Sequence, residues 1–141
     1  MRAMGLDVGT KTVGVAVADE LGLTAQPLTV VRRSNLKADL AELLKLATER
    51  EVDRFVIGLP LNMDGSEGPR AEATRRFGDA LAKASNLSII YQDERLTTVA
   101  AEHALLEANV SRGKRREVID QVAASIILQG WLDAQPRSPP A

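Results

Sequence analysis

The chain has no cysteine and a single histidine, His103, in 141 residues. Without cysteine there is no thiol nucleophile, no thiolate zinc site and no disulfide framework, so a reducing, cytoplasmic setting is expected. His103 lies in an alanine- and leucine-rich stretch at helical spacing. An exposed or core-edge imidazole is the ordinary reading there, and no role is assigned to it. Aromatic residues make up only 3% of the chain, which rules out base stacking as a main source of affinity for nucleic acid. Charge of one sign is also missing: 18 basic against 19 acidic residues leave a net −1, so any polyanion must be met by local patches. No apolar run reaches membrane-spanning length, and Asp7 interrupts the N-terminal stretch before a signal-peptide core can form, so no membrane partner is expected.

What is present suits one soluble domain. With 45% hydrophobic residues over this length, folding buries roughly two-thirds of the unfolded chain's surface without staples. Residues 1–134 are expected to form that domain, and the polar, proline-rich 135–141 a disordered tail.

Residues 4–8 and 12–18 are apolar and β-branched around the turn Gly9-Thr10-Lys11, which predicts a hairpin. A third strand is predicted at Leu28–Val31, after Gly22 and Pro27 break the chain. Leu36, Leu40, Leu43, Leu44 and Ala47 then repeat at three and four, which predicts a helix capped by Ser34 or Asn35. Arg54–Gly58 reads as a buried strand and residues 62–69 as a loop of turn formers. Pro69 opens a second helix to about Ala84, with Ala73, Phe77, Ala80, Leu81 and Ala84 inward. A fifth strand follows at Leu87–Tyr91, a third helix at about Thr98–Glu107 and a last one at about Arg115–Leu132. The order β-β-β-α-β-α-β-α-α places helices on both faces of a mixed sheet and is one that a ribonuclease-H-like architecture would show.

Three acids stand where chemistry is possible. Asp7 interrupts an apolar strand just before Gly9, and a buried carboxylate needs a partner or a cation. It is either a turn cap or a ligand. Asp93-Glu94-Arg95 follows the fifth strand directly; because successive side chains alternate, at most one of the two acids faces Asp7, and a surface ion pair with Arg95 is the ordinary alternative. Asp120 shares a helix face with Arg116, Ala123, Ala124 and Ile127, small neighbours that let the helix approach the sheet; alone it would read as a solvated acid. Together the three could hold one or two magnesium or manganese ions through oxygen and support phosphodiester cleavage. Arg112-Gly113-Lys114-Arg115-Arg116 packs four cations ahead of Asp120 in an adaptable loop, either a phosphate contact or a solvated charge run, and Lys11 is a weaker basic candidate.

Four segments together resemble the YqgF/RuvX family of Holliday-junction resolvases: Leu6–Ala16, Gly58–Ser66, Asp93–Thr98 and Asp120–Ala124. The resemblance spans nearly the whole chain in one order. It implies a ribonuclease-H-like α/β fold, with an antiparallel meander of three strands plus two parallel strands in one mixed sheet flanked by helices. It also implies a magnesium- or manganese-dependent nuclease in which Asp7, Glu94 and Asp120 are the catalytic and metal-binding acids, with Asp93 a rival to Glu94. Arg95 joins Lys11, Arg112, Lys114, Arg115 and Arg116 as candidate nucleic-acid contacts. The substrates implied are a four-way DNA junction or the 5′ end of precursor 16S ribosomal RNA, and a resolvase would act as a homodimer because symmetric cutting needs two sites. Two rivals remain: a non-catalytic nucleic-acid-binding or ribosome-assembly protein, and a phosphate-binding module of the actin and sugar-kinase type, against which the short chain and the lack of a second phosphate hairpin argue.

Overall fold

A computed structural model describes residues 2–94 and 112–136, with residues 112–118 described by their backbone alone. The third expected helix, with His103, lies outside the described residues, as do Arg95 and residues 137–141 of the expected tail.

Five strands form one sheet in the order β3-β2-β1-β4-β5. They are β1 (Ala3–Val8), β2 (Thr12–Ala18), β3 (Ala25–Arg32), β4 (Arg54–Leu59) and β5 (Ser88–Asp93). β1 to β3 form the antiparallel meander, while β4 runs parallel to both β1 and β5. The mixed sheet expected from the sequence is therefore the one observed.

β3 begins three residues earlier than its sequence predicts and takes in Pro27, where the sequence predicts a break. The proline is tolerated because β3 is an edge strand and Pro27 stands opposite Ala16, where the β2–β3 register shifts. A missing N–H costs least at an edge or a bulge.

The sheet buries its two faces differently. Met4, Leu6, Val8, Val13, Val15, Val17, Phe55 and Ile57 cover one face and pack with Leu43 and Ala47 of helix α1 (Leu36–Glu49) and Phe77 and Leu81 of helix α2 (Pro69–Ser85). The other face carries Ala3, Ala16, Ala18 and Val56 against Ala123, Ala124, Ile127 and Leu128 of helix α3 (Arg112–Ala134). Large residues thus face two helices and small ones face one, which lets α3 come close.

Asn35 is the N-cap of α1, its side chain accepting from the Ala38 amide at 2.9 Å. Leu36, read as inward, is 46% exposed, and the buried position in that first turn is Asp39, 2% exposed. In α2, Phe77 and Leu81 face inward as expected, but Ala73 and Ala84 are exposed and the buried set is completed by Ala71, Thr74 and Gly78. The reason is Tyr91: a Cβ on Gly78 would overlap its hydroxyl, so the helix is turned to lay its smallest residue against β5. α3 starts at Arg112, so the basic run expected as a loop is helical backbone. Past its end, the Gln135 amide still donates to Leu132 O at 3.2 Å.

Candidate active site

Alternation along β1 puts Leu6 and Val8 into the α1/α2 core and turns Gly5 and Asp7 toward α3. Asp7 is half-buried and pairs with Gly14 of β2. A Cβ on Gly14 would overlap the Asp120 main-chain carbonyl, so α3 rests directly on the backbone beside Asp7. A Cβ on Gly5 would likewise fall 2.6 Å from Leu128 Cβ and 2.8 Å from Ala124 O. These glycines set the helix-to-sheet distance, and with it the height of Asp120 above Asp7.

The same parity separates Glu94 from Asp93. Ile89 and Tyr91 pack into the α1/α2 core, and Asp93 falls on their side of the strand. Glu94, one residue beyond β5, lies on the α3 face: a Cβ on Gly58 would meet its Oε1 at 2.6 Å and Ile127 Cδ1 at 2.5 Å. Gly58 follows Ile57, the parallel partner of Leu6, so Glu94 reaches across β4 toward Asp7. The electrostatics agree. Burial pushes the Glu94 carboxyl up to about 7, the Asp7 charge adds to the rise, Arg70 opposes it and Asp93 adds a smaller push. Two carboxylates in a partly desolvated place cannot both ionise freely without a cation.

Asp120 is held differently. Its Oδ2 accepts from the Thr12 hydroxyl at 2.7 Å, which ties α3 to the first residue of β2. Thr12 also closes the preceding turn, its carbonyl accepting from the Gly9 amide at 2.8 Å. Lys11 is exposed in that turn.

A family profile described as a Holliday junction resolvase, RuvX, matches residues 1–134. The chain belongs to this family. A relative from Myxococcus xanthus is 68% identical over 134 residues, covering 95% of this chain and 89% of its own, and one from Symbiobacterium thermophilum is 58% identical over 140 residues, covering 99% and 97%. Both carry the name "Putative pre-16S rRNA nuclease". In fold, the chain is similar to Thermus thermophilus RuvC bound to a Holliday junction (TM-score 0.58, 15% identity, 95% of this chain and 94% of that one). It is equally similar to the fowlpox virus Holliday junction resolvase (TM-score 0.58, 14% identity, 96% and 100%). These are ribonuclease-H-like folds. RuvX membership carries the enzyme class with it, a nuclease that hydrolyses phosphodiester bonds, and decides against a kinase-type reading of the first hairpin.

Of the three acids singled out in this RuvX chain, the structure brings Asp7 and Glu94 within electrostatic reach of each other, while α3 sets the Asp120 main chain over Gly14 and its carboxylate on Thr12. Among the described residues no group of three or more His, Asp or Glu side chains is gathered closely enough to form a metal cage by itself. The donor set is all oxygen, hard and anionic, and the raised Glu94 carboxyl marks a place where a cation would relieve repulsion.

Of the basic candidates, Lys11 is exposed in the β1–β2 turn, whereas the side chains of Arg112, Lys114, Arg115 and Arg116 lie outside the described residues. Their backbone forms the first turns of α3, leading directly to Asp120. Two arginines were missed by sequence reasoning. Arg70, exposed at the start of α2, acts on Glu94 through its charge. Arg33 donates to Gly9 O at 2.8 Å and pairs with Asp39. Neither stands in a motif; helix periodicity marks Arg70 only as a surface residue.

Proposed function

We propose that the protein is a divalent-metal-dependent endonuclease that cuts structured nucleic acid at the edge of the sheet where Asp7, Glu94 and Asp120 meet. The observation that supports it most is the Asp7–Glu94 pair, two acids drawn to one partly buried place on the α3 face, where burial and mutual repulsion disfavour charge. Asp7, Glu94 and Asp120 would hold one or two magnesium or manganese ions. Such ions supply an activated water and stabilise the leaving oxygen.

The chain's own residues have separable tasks. Asp7 and Glu94 present carboxylate oxygens toward the substrate phosphate. Thr12 holds the Asp120 carboxylate in one orientation at 2.7 Å. Lys11, with Arg95 and the run Arg112, Lys114, Arg115 and Arg116, would contact backbone phosphates, a local attraction in a chain whose net charge is only −1. A binding protein that does not cut is disfavoured by the acids themselves, since carboxylates facing phosphates without a cation repel them.

The relatives' names support precursor 16S ribosomal RNA as substrate, and a nuclease acting on such a precursor would work in the cytoplasm. The family's description supports a four-way DNA junction, for which a two-fold dimer would supply the two sites that symmetric cutting needs. The test is to give the purified protein, with magnesium or manganese, a precursor 16S RNA, a four-way DNA junction, a linear duplex and single-stranded DNA, and to map the products. Cleavage at the 5′ end of the 16S sequence alone assigns the RNA; paired symmetric nicks assign the junction. No metal-dependent cleavage of any of them would overturn the proposal.

A further inference from the structure

Asp39 is an acid in the first turn of α1, where the helix dipole favours one, but it is only 2% exposed, a burial that the dipole does not require. Its carboxylate is satisfied by two groups: Oδ1 accepts from the Ser34 amide at 3.0 Å, and Oδ2 faces Arg33 Nε at 3.3 Å. Arg33 then spends its remaining donors on the turn between β1 and β2. Nη1 donates to Gly9 O at 2.8 Å, and its own amide donates to Lys11 O at 2.8 Å. Its guanidinium also lies 5.1 Å from the centroid of the Phe77 ring in α2, which fixes the plane of the fork.

The anchored turn is the one that joins Asp7 to Thr12. Gly9 is two residues beyond Asp7 and bonds through its amide to Thr12 O at 2.8 Å, while the Thr12 hydroxyl holds Asp120 at 2.7 Å. Hydrogen bonds thus run from buried Asp39 through Arg33 and the turn to Asp120. The Arg33 side chain adds a tertiary anchor to the main-chain bonds of a turn whose Thr10 and Lys11 are exposed. A planar guanidinium meets the carboxylate through Nε and the carbonyl through Nη1 in one fixed geometry while lying on the Phe77 ring, which a single ammonium nitrogen does not reproduce.

We infer that Arg33, locked by Asp39, is a positioning residue: it holds the β1–β2 turn so that Asp7 and Asp120 keep their separation at the metal-binding edge. The inference rests on the reading of those acids as metal ligands. Arg33 touches no reacting group; it acts through Gly9 and Thr12.

The test uses Arg33→Lys and Asp39→Asn in the full chain, with Arg54→Lys as a control. Arg54 pairs with the exposed Asp53 at 3.1 Å at the other end of the strands, so this control reports the loss of an arginine–carboxylate bond away from the site. The first readout is binding of manganese alone, followed by water-proton relaxation; the second is kcat and KM on whichever substrate is cut. Arg33→Lys and Asp39→Asn are expected to weaken manganese binding and lower kcat by about 10- to 100-fold, with KM within about twofold, while Arg54→Lys changes neither. Faster exchange of the Gly9 amide in Arg33→Lys, with β4 amides unchanged, is expected beside it.

Normal manganese binding and kcat in folded Arg33→Lys would overturn the inference. A raised KM at unchanged kcat would also overturn it, since Arg33 would then be a substrate contact. If Asp39→Asn does not fold, Arg33→Lys alone decides. Failure of the unaltered protein to bind manganese, or full activity in Asp7→Asn, would instead remove the ligand reading on which the inference stands.

Discussion

The Thr12 hydroxyl donates to Asp120 Oδ2 at 2.7 Å, joining residues 108 positions apart in the chain and the first hairpin to the last helix. A hydrogen bond to a carboxylate contributes about 1.5–3 kcal/mol, and a bond to a metal-ligand candidate also fixes its orientation. Thr12→Val keeps the shape and removes the donor. It is expected to lower stability by about 1–2 kcal/mol in urea unfolding and manganese affinity by about tenfold, and Thr12→Ser should restore both.

Asp7→Asn removes a charge while keeping size and most hydrogen bonding. Because the fold's core on that strand is Met4, Leu6 and Val8, the variant should unfold like the unaltered protein. Cleavage should fall by at least about a hundredfold, while binding to junction DNA or precursor RNA in gel-shift assays stays within about threefold. Cleavage at the normal rate would show that Asp7 is a turn cap and nothing more.

Glu94 makes stability depend on pH in a direction unusual for a carboxylate. Its folded value of about 7 lies above the ordinary 4.5, so the folded state binds the proton more tightly than the unfolded chain. The stabilisation is fully present below about pH 4.5 and is lost as pH rises through about 7, a change of up to about 3 kcal/mol. Without metal, the component of stability due to Glu94 should therefore fall between about pH 4.5 and 7, and Glu94→Gln should flatten that component. With manganese, the trend should reverse, because the ionised form is the one that ligates. An identical pH dependence in Glu94→Gln would place the titration elsewhere.

Gly14→Ala drives a methyl group into the Asp120 main chain, backbone against backbone, where no rotamer can yield. A loss of about 3 kcal/mol or more is expected, read as a lowered thermal midpoint together with weaker manganese binding. Gly22→Ala, at φ 71° with nothing within 4 Å, should cost only the strain of its own backbone and leave metal binding unchanged.

The sequence by itself determined the type of most of the described elements, because strand and helix periods are local. β-branched runs marked β1, β2 and β4, the Gly9 turn marked the hairpin, and Asn35 and Pro69 marked two helix starts. It also placed Asp7 and the Asp93–Glu94 pair at strand ends and Asp120 on a helix with small neighbours, since an acid inside an apolar pattern is visible without coordinates.

Only the tertiary structure decided what depends on contacts far apart in sequence. The choice of Glu94 over Asp93 as the acid facing Asp7 needed the parity of β5 against two cores. The rotation of α2 depended on Gly78 meeting Tyr91, and the burial of Asp39 on its pairing with Arg33. Pro27 was accepted into β3 because that strand proved to be an edge. Local pattern names the acids; which of them share one desolvated place is settled by the sheet order and by glycines that let α3 lie against the strands.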